Sequence, residues 1–247
     1  MSFPPDLLDR LICGDNRDLF ARLPDACVDL VLTDPPYKDY RSNRPVAHPK
    51  LKQVQRRHFD REAFARESFR VLKEGAHLYC FCDHLTFPEI RAELVRAGFL
   101  YKNCLVWIKN NHGSGDLRGN FAPQHEFIIF AAKGRSRPLQ GKRQSNVLVK
   151  DRRGGRLEVY PKVNNYRYNH GTSKPVDLLR RLIQASSDPG EIVLDPYGGS
   201  GSTAEAARRE GRRYMVWEID PDHHREAEER LKIYSPQRRK ERKEDGY

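Results

Sequence analysis

The sequence predicts an α/β domain built on a doubly wound, mostly parallel sheet, and three observations carry that prediction. Short apolar runs alternate with amphipathic stretches over most of the 247 residues. One run, Val28-Asp29-Leu30-Val31-Leu32, is nearly continuous in apolar residues, as a strand is when helices cover both faces of its sheet. Further on, Leu194-Asp195-Pro196-Tyr197-Gly198-Gly199-Ser200-Gly201-Ser202-Thr203 reads as a strand passing through a glycine-rich turn into a helix.

Strands are expected at Val28–Thr33, His77–Cys82, Leu105–Lys109, Glu126–Ala131, Ile192–Leu194 and Arg213–Glu218. Helices are expected at Arg61–Leu72, Pro88–Ala97, Pro175–Ala185, Thr203–Glu210 and Pro221–Ile233. Asp220-Pro221 supplies an N-cap and a proline at the first helical position, and Lys174-Pro175 also places proline at a helix start. Residues 1–234 therefore read as a single domain. Ser235 to Tyr247 is nearly all charged with nothing to bury, and is expected to be a disordered tail.

Composition narrows the class. Hydrophobic residues make up 38% and charged residues 32%, with a mean hydropathy of −0.81. No run approaches the roughly 18 apolar residues of a membrane span, and the N-terminus lacks a basic-then-apolar leader. A cytoplasmic protein without a membrane partner is the expectation. The five cysteines are odd in number and read as thiols, and Cys80-Phe81-Cys82 has no second pair at zinc spacing. His223-His224 and His125-Glu126 lack convergent ligands too, so no metal is expected. Net charge is +11, and two segments concentrate it. Lys133 to Tyr168 holds 11 Lys/Arg against 2 Asp/Glu, and Lys38 to Arg61 holds 8 against 2. Basic segments on a mildly acidic body suit a polyanion, because each cation that meets a phosphate releases a counterion.

Two loops carry the chemistry. Glu218 ends a strand 23 residues after Asp195, where a carboxylate can accept hydrogen bonds from ribose hydroxyls. A bound nucleoside is implied, against the alternative of an ordinary glycine-rich turn. The glycines do not fit dinucleotide spacing, and neither a phosphate loop nor a hydrolase elbow is present. At the other loop, Val28–Thr33 runs into Asp34-Pro35-Pro36-Tyr37. Two prolines fix φ and stop sheet pairing, which aims a carboxylate on one side and a ring on the other.

These pieces together resemble the DNA amino-methyltransferases, in particular the permuted class often called beta. The resemblance runs from Leu11 to Ile233. It rests on Asp34-Pro35-Pro36-Tyr37, Trp107-Ile108-Lys109 to His125-Glu126-Phe127, His170-Gly171-Thr172-Ser173-Lys174-Pro175, the glycine loop and Glu218. The catalytic loop precedes the glycine loop, which is the permuted order. The fold implied is the Rossmann-like S-adenosylmethionine methyltransferase type with a small inserted target-recognition region. The cofactor implied is S-adenosylmethionine, with S-adenosylhomocysteine as product. Glu218 would hold its ribose, Asp195, Pro196, Tyr197, Gly198, Gly199, Ser200, Gly201, Ser202 and Thr203 would line it, and Thr172, Lys174 and Asp15 would complete the pocket. Asp34, Pro35, Pro36 and Tyr37 would be catalytic, the carboxylate and the Pro35 carbonyl accepting from an exocyclic amine.

The resemblance implies adenine-N6 methylation of double-stranded DNA; cytosine-N4 methylation, RNA methylation and an idle nucleic-acid-binding module are the alternatives. It allows a homodimer and a partner restriction endonuclease. Residues 38–61 would form a DNA-contacting loop gripping phosphates through Lys50, Lys52, Arg56 and Arg57. Residues 133–168 would form the target-recognition insertion, with Arg152, Arg153 and Arg156 reading bases. Tyr160, Tyr166 and Tyr168 interleave with cations there and are candidates for nucleic-acid contact, whereas Trp107, Phe127 and Phe130 are expected in the core.

Overall fold

The computed structural model describes residues 3–37, 59–112, 119–153, 156–162 and 173–233, with backbone alone for 151–153, 156, 157 and 233. After a 3-10 turn at Pro5–Leu7 come β1 (Arg10–Cys13), α1 (Asn16–Ala21), β2 (Val28–Thr33), α2 (Arg61–Val71) and β3 (Leu72–Cys82). Then follow α3 (Phe87–Arg96), β4 (Phe99–Ile108), β5 (His125–Lys133), β6 (Val147–Leu148), β7 (Asp151–Arg153) and β8 (Arg156–Glu158). The chain continues through α4 (Val176–Ser186), β9 (Ile192–Asp195), α5 (Ser202–Arg209), β10 (Arg213–Glu218) and α6 (Pro221–Ile233). Eight strands form one sheet in the order β1-β10-β9-β2-β3-β5-β4-β6, and β7 pairs with β8 as a separate hairpin.

The sheet is parallel except at β5, which runs antiparallel between β3 and β4. Alternation along each strand supplies a core on both faces. Val31, Leu78, Cys80, Ile129, Leu194, Met215 and Trp217 pack with Leu19 and Phe20 of α1, Phe64 of α2 and Ile90 of α3. Leu30, Leu32, Tyr79, Phe81, Phe130, Val193 and Val216 pack with Leu178 and Leu182 of α4, Ala204 of α5 and Leu231 of α6. Helices on both faces make the sheet doubly wound, as the continuous apolar strands predict.

The element boundaries differ from expectation for identifiable reasons. β1 and α1 are absent from the sequence reading because four and six residues are too short for either periodicity to show. β3 starts at Leu72, ahead of its expected onset, because Lys73-Glu74-Gly75 interrupts the apolar pattern there. β4 starts six residues before its expected onset, since Leu100, Lys102 and Asn103 lie on a half-exposed flank. Pro175 is the N-cap of α4 rather than its first residue. Asp220 caps α6 as read, accepting from the amides of Asp222 and His223. Among the described residues no helix is long and apolar enough to cross a membrane. Residues 38–58 and the tail 235–247 lie outside the described residues.

Candidate active site

Winding reverses between β9 and β2: from β9 the chain moves outward to β10, from β2 the other way to β3. Ligands of such sheets bind in the crevice at the carboxyl ends of the strands where winding reverses. Thr33 ends β2 and Asp195 ends β9, and the Thr33 hydroxyl donates to Asp195 Oδ1 at 2.7 Å across that crevice. Glu218 ends β10 and Asp15 follows β1, so the predicted cofactor side occupies consecutive strand ends.

The glycine loop is held by its own carboxylates. Thr203 donates to Asp195 Oδ2 at 2.6 Å and the Tyr197 amide donates to Oδ1 at 3.1 Å. Burial pushes Asp195 up to about 6 against the lowering effect of these donors. Glu218 accepts from the amides of Gly199 (2.9 Å) and Asp220 (2.8 Å). Gly198 is tightly confined, because a Cβ there would lie 2.4 Å from Val216 Cγ1. Gly201, at φ 73°, caps α5. Ser200 joins a buried chain in which it accepts from Ser173, while Arg230 reaches Ser200 and Ser202 and pairs with Glu205 at 2.7 Å. The ring of Tyr197 packs on Phe59 and Phe64. Asp15 caps α1 and pairs with Arg17. Thr172 lies outside the described residues.

On the catalytic side, Asp34 Oδ1 accepts from the Tyr37 hydroxyl at 2.8 Å and Oδ2 meets Lys174 Nζ at 2.5 Å. Lys174, expected beside the cofactor, thus has its ammonium on the catalytic carboxylate, while the neighbouring Ser173 reaches the glycine loop at Ser200. Two residues that the sequence reading gave no role join it: Glu126 Oε2 lies 3.2 Å from Lys174 Nζ, and Glu126 Oε1 lies 2.8 Å from Lys109 Nζ. The antiparallel course of β5 brings Glu126 there, since its amino end faces the edge that the parallel strands, β4 before Lys109 among them, meet with their carboxyl ends. The available signal was the pairing of Trp107-Ile108-Lys109 with His125-Glu126, in which Trp107 sits opposite Glu126. Burial raises Asp34 above the usual carboxylate range, with Glu126 adding to it and Lys174 opposing. Burial would raise Glu126 as well, but the ammoniums of Lys174 and Lys109 outweigh it and hold Glu126 low. Burial would lower Lys174, and its two carboxylates raise it instead.

Of the predicted DNA contacts, Arg153 pairs with Arg156 across the β7–β8 hairpin, which also holds Arg152. Lys50, Lys52, Arg56 and Arg57 lie outside the described residues, as do Tyr166 and Tyr168. Tyr160 departs from its reading as a nucleic-acid contact: it is buried in the core with Trp107, whose Nε1 donates to the Tyr160 carbonyl. Trp107 and Phe130 are buried as expected, and Phe127 is partly buried against the core on the opposite face of the sheet. Some charge in this stretch is structural. Lys133 donates to the Phe69 and Leu72 carbonyls, and Arg137 pairs with Asp188 and Glu191. A groove of about 770 Å³ between residues 142–150 and α4 is lined by Lys142, Arg143, Lys150, Arg180 and Arg181.

A doubly wound sheet carries a glycine loop and an Asp-Pro-Pro-Tyr loop on either side of its reversal point, and comparison with known proteins says which class of enzyme this is. Residues 28–229 match the N6/N4 DNA methylase family, and the chain belongs to it. YubD of Escherichia coli (strain K12), a candidate methylase, is 33% identical over 228 residues, covering 91% of this chain and 90% of that protein. TTHA0409 of Thermus thermophilus, a candidate DNA modification methylase solved with S-adenosyl-L-methionine, is 26% identical with a TM-score of 0.61, covering 92% and 96% of the two chains. The cytosine-N4-specific PvuII DNA methyltransferase superposes with a TM-score of 0.70 at 15% identity over 90% and 85%, a likeness of fold. The chain is a DNA methyltransferase whose cofactor is S-adenosylmethionine. The residues present fit that group: Glu218 sets a carboxylate at the β10 end, and Gly198, Gly199 and Gly201 put no side chain on the loop beside it, Gly199 and Gly201 at positive φ.

Proposed function

We propose that this protein methylates the N6 amine of an adenine flipped out of double-stranded DNA, within a short recognition sequence. The carboxylate of Asp34, aimed from the end of β2, is the observation that carries the reading. In the family resembled, serine commonly takes this position in cytosine-N4 enzymes. The cofactor supplies an electrophilic methyl group on a sulfonium.

The amine is a poor nucleophile because its lone pair is delocalised into the ring. Asp34 and the Pro35 carbonyl would each accept an N–H bond and localise that pair, with their oxygens preorganised where positive charge develops. A carboxylate has about four acceptor directions, and Tyr37 and Lys174 use two of them, leaving capacity for the amine. The Tyr37 hydroxyl bond fixes its ring beside Asp34, where it can stack on the base. The methylated nitrogen is acidic and releases its proton afterwards, so no strong base is required. A base inside a duplex cannot reach such a pocket, which is why flipping belongs to the proposal. Lys142 and Arg143 in the groove beside α4 support contact with phosphates, whereas Lys150 and Arg180 there are paired with Glu158 and with Asp177 and Glu210.

The test is to offer duplex DNA and RNA of matched sequence with methyl-labelled cofactor and to analyse the nucleosides. N6-methyladenine from DNA is expected. N4-methylcytosine, label confined to RNA, or no transfer to either would overturn the proposal.

A further inference from the structure

Behind Asp34 lie three charges that the transfer itself does not use, and together with Asp34 they form a chain. It runs Lys109, Glu126, Lys174, Asp34, with successive N–O separations of 2.8, 3.2 and 2.5 Å. Lys174 is 7% exposed and Glu126 15%, so neither charge can rely on water. A buried charge stripped of its partner is costly, and two ammoniums alternating with two carboxylates leave the set neutral overall. Each member comes from a different element: Lys109 follows β4, Glu126 is on β5, Lys174 precedes α4 and Asp34 follows β2.

Such a chain does more than neutralise. Asp34 and Lys174 are the shortest pair of the chain, and the more wholly an ammonium is given to a carboxylate the weaker an acceptor that carboxylate is for anything else. Here Glu126 competes for the same ammonium, and the Tyr37 hydroxyl lies 3.4 Å from it and 2.8 Å from Asp34. Lys109 in turn limits how strongly Glu126 can compete. We propose that Glu126 and Lys109 are positioning residues which set how far Lys174 neutralises Asp34, and so how strongly Asp34 accepts the target amine. This rests on the amino-methylation reading above. The other titratable groups around Asp34 are Tyr37 on its own loop, Cys80 and Cys82 on β3, and Asp195 at the end of β9.

The two residues act with opposite sign, which gives the test its force. In Glu126→Gln, Lys174 passes wholly to Asp34. The expected result is a fall in kcat on the order of tenfold, KM for DNA within about twofold, and an acid limb of kcat moved to lower pH. In Lys109→Met, Glu126 draws Lys174 away and the limb moves to higher pH, while Lys109→Arg restores the parent profile. Asp195 is kept out of this readout by measuring kcat at saturating cofactor. The carboxyl carbon resonance of Asp34, titrated by NMR in each variant, reports the same shifts without turnover and also covers a variant of low activity. A purely structural role would lower activity and leave both midpoints in place. Unmoved midpoints, or midpoints moving the same way in both variants, would overturn the proposal. If the parent protein transfers no methyl group to DNA, the underlying reading falls and this assignment with it.

Discussion

Asp195 should couple the glycine loop to pH. Its three donors, Thr33, Thr203 and the Tyr197 amide, are best served by the ionised carboxylate, and burial has pushed that ionisation up to about 6. Cofactor affinity should therefore fall as pH drops through 6 in calorimetry between pH 5 and 8, and Asp195→Asn should flatten the profile. A parent affinity constant over that range would contradict it. The stability linkage runs the other way. The folded pKa lies above the ordinary 3.8, so the contribution is full below 3.8 and is lost as pH rises through about 6, roughly 3 kcal/mol in all. Glu218→Ala should weaken cofactor binding by about 1.5–3 kcal/mol, the scale of hydrogen bonds to a charged group. Equal affinity would remove Glu218 from the pocket. The placement of Asp34 just after β2 and of Glu218 at the end of β10 was legible in the sequence, because each closes an apolar strand with a distinctive loop or spacing. Glu126 and Lys109 were not, since their meeting depends on an antiparallel strand that no local pattern announces. Tyr160 was misread because a polar neighbourhood in sequence says nothing about the Trp107 indole that its carbonyl accepts from.

Among the elements, the β9–α5 turn is the most constrained. Gly198→Ala would set a Cβ 2.4 Å from Val216 Cγ1 and 3.1 Å from the Trp217 carbonyl, and neither the β10 backbone nor a buried valine can retreat far. Overpacking of this kind costs about 1–3 kcal/mol. The denaturation midpoint should fall and cofactor affinity with it; a midpoint equal to the parent's would show the loop to be looser than its geometry. Four of the six predicted strands and all five predicted helices lie within a few residues of their expected bounds; β3 and β4 are the exceptions, both beginning earlier. Long elements with one buried stripe are readable because tertiary packing reinforces local preference. β1, only four residues long at the sheet edge, escapes for the opposite reason.

At the scale of the whole molecule, charge and topology divide the work. The basic segments at 38–61 and 133–168 are proposed to act differently on DNA. Neutralising Lys50, Lys52, Arg56 and Arg57 should weaken binding to all sequences and flatten its salt dependence, because phosphate contacts carry no sequence information. Replacing Arg152, Arg153 or Arg156 singly should relax preference at particular positions, at about 1–3 kcal/mol for a base contact. Methylation-site sequencing separates the two, and equal loss on all sites for all three arginines would reduce the second segment to a phosphate clamp. Topology supplies the rest. Reversal of winding between β9 and β2 sets Asp34 beside the glycine loop although 161 residues separate Asp34 from Asp195. That juxtaposition is tested most directly by Asp34→Ala, with methyl transfer to DNA and cofactor affinity measured on the same preparation. Transfer should fall below a tenth of the parent rate while cofactor affinity stays nearly intact. A variant that keeps a tenth or more of parental turnover would contradict the assignment of Asp34.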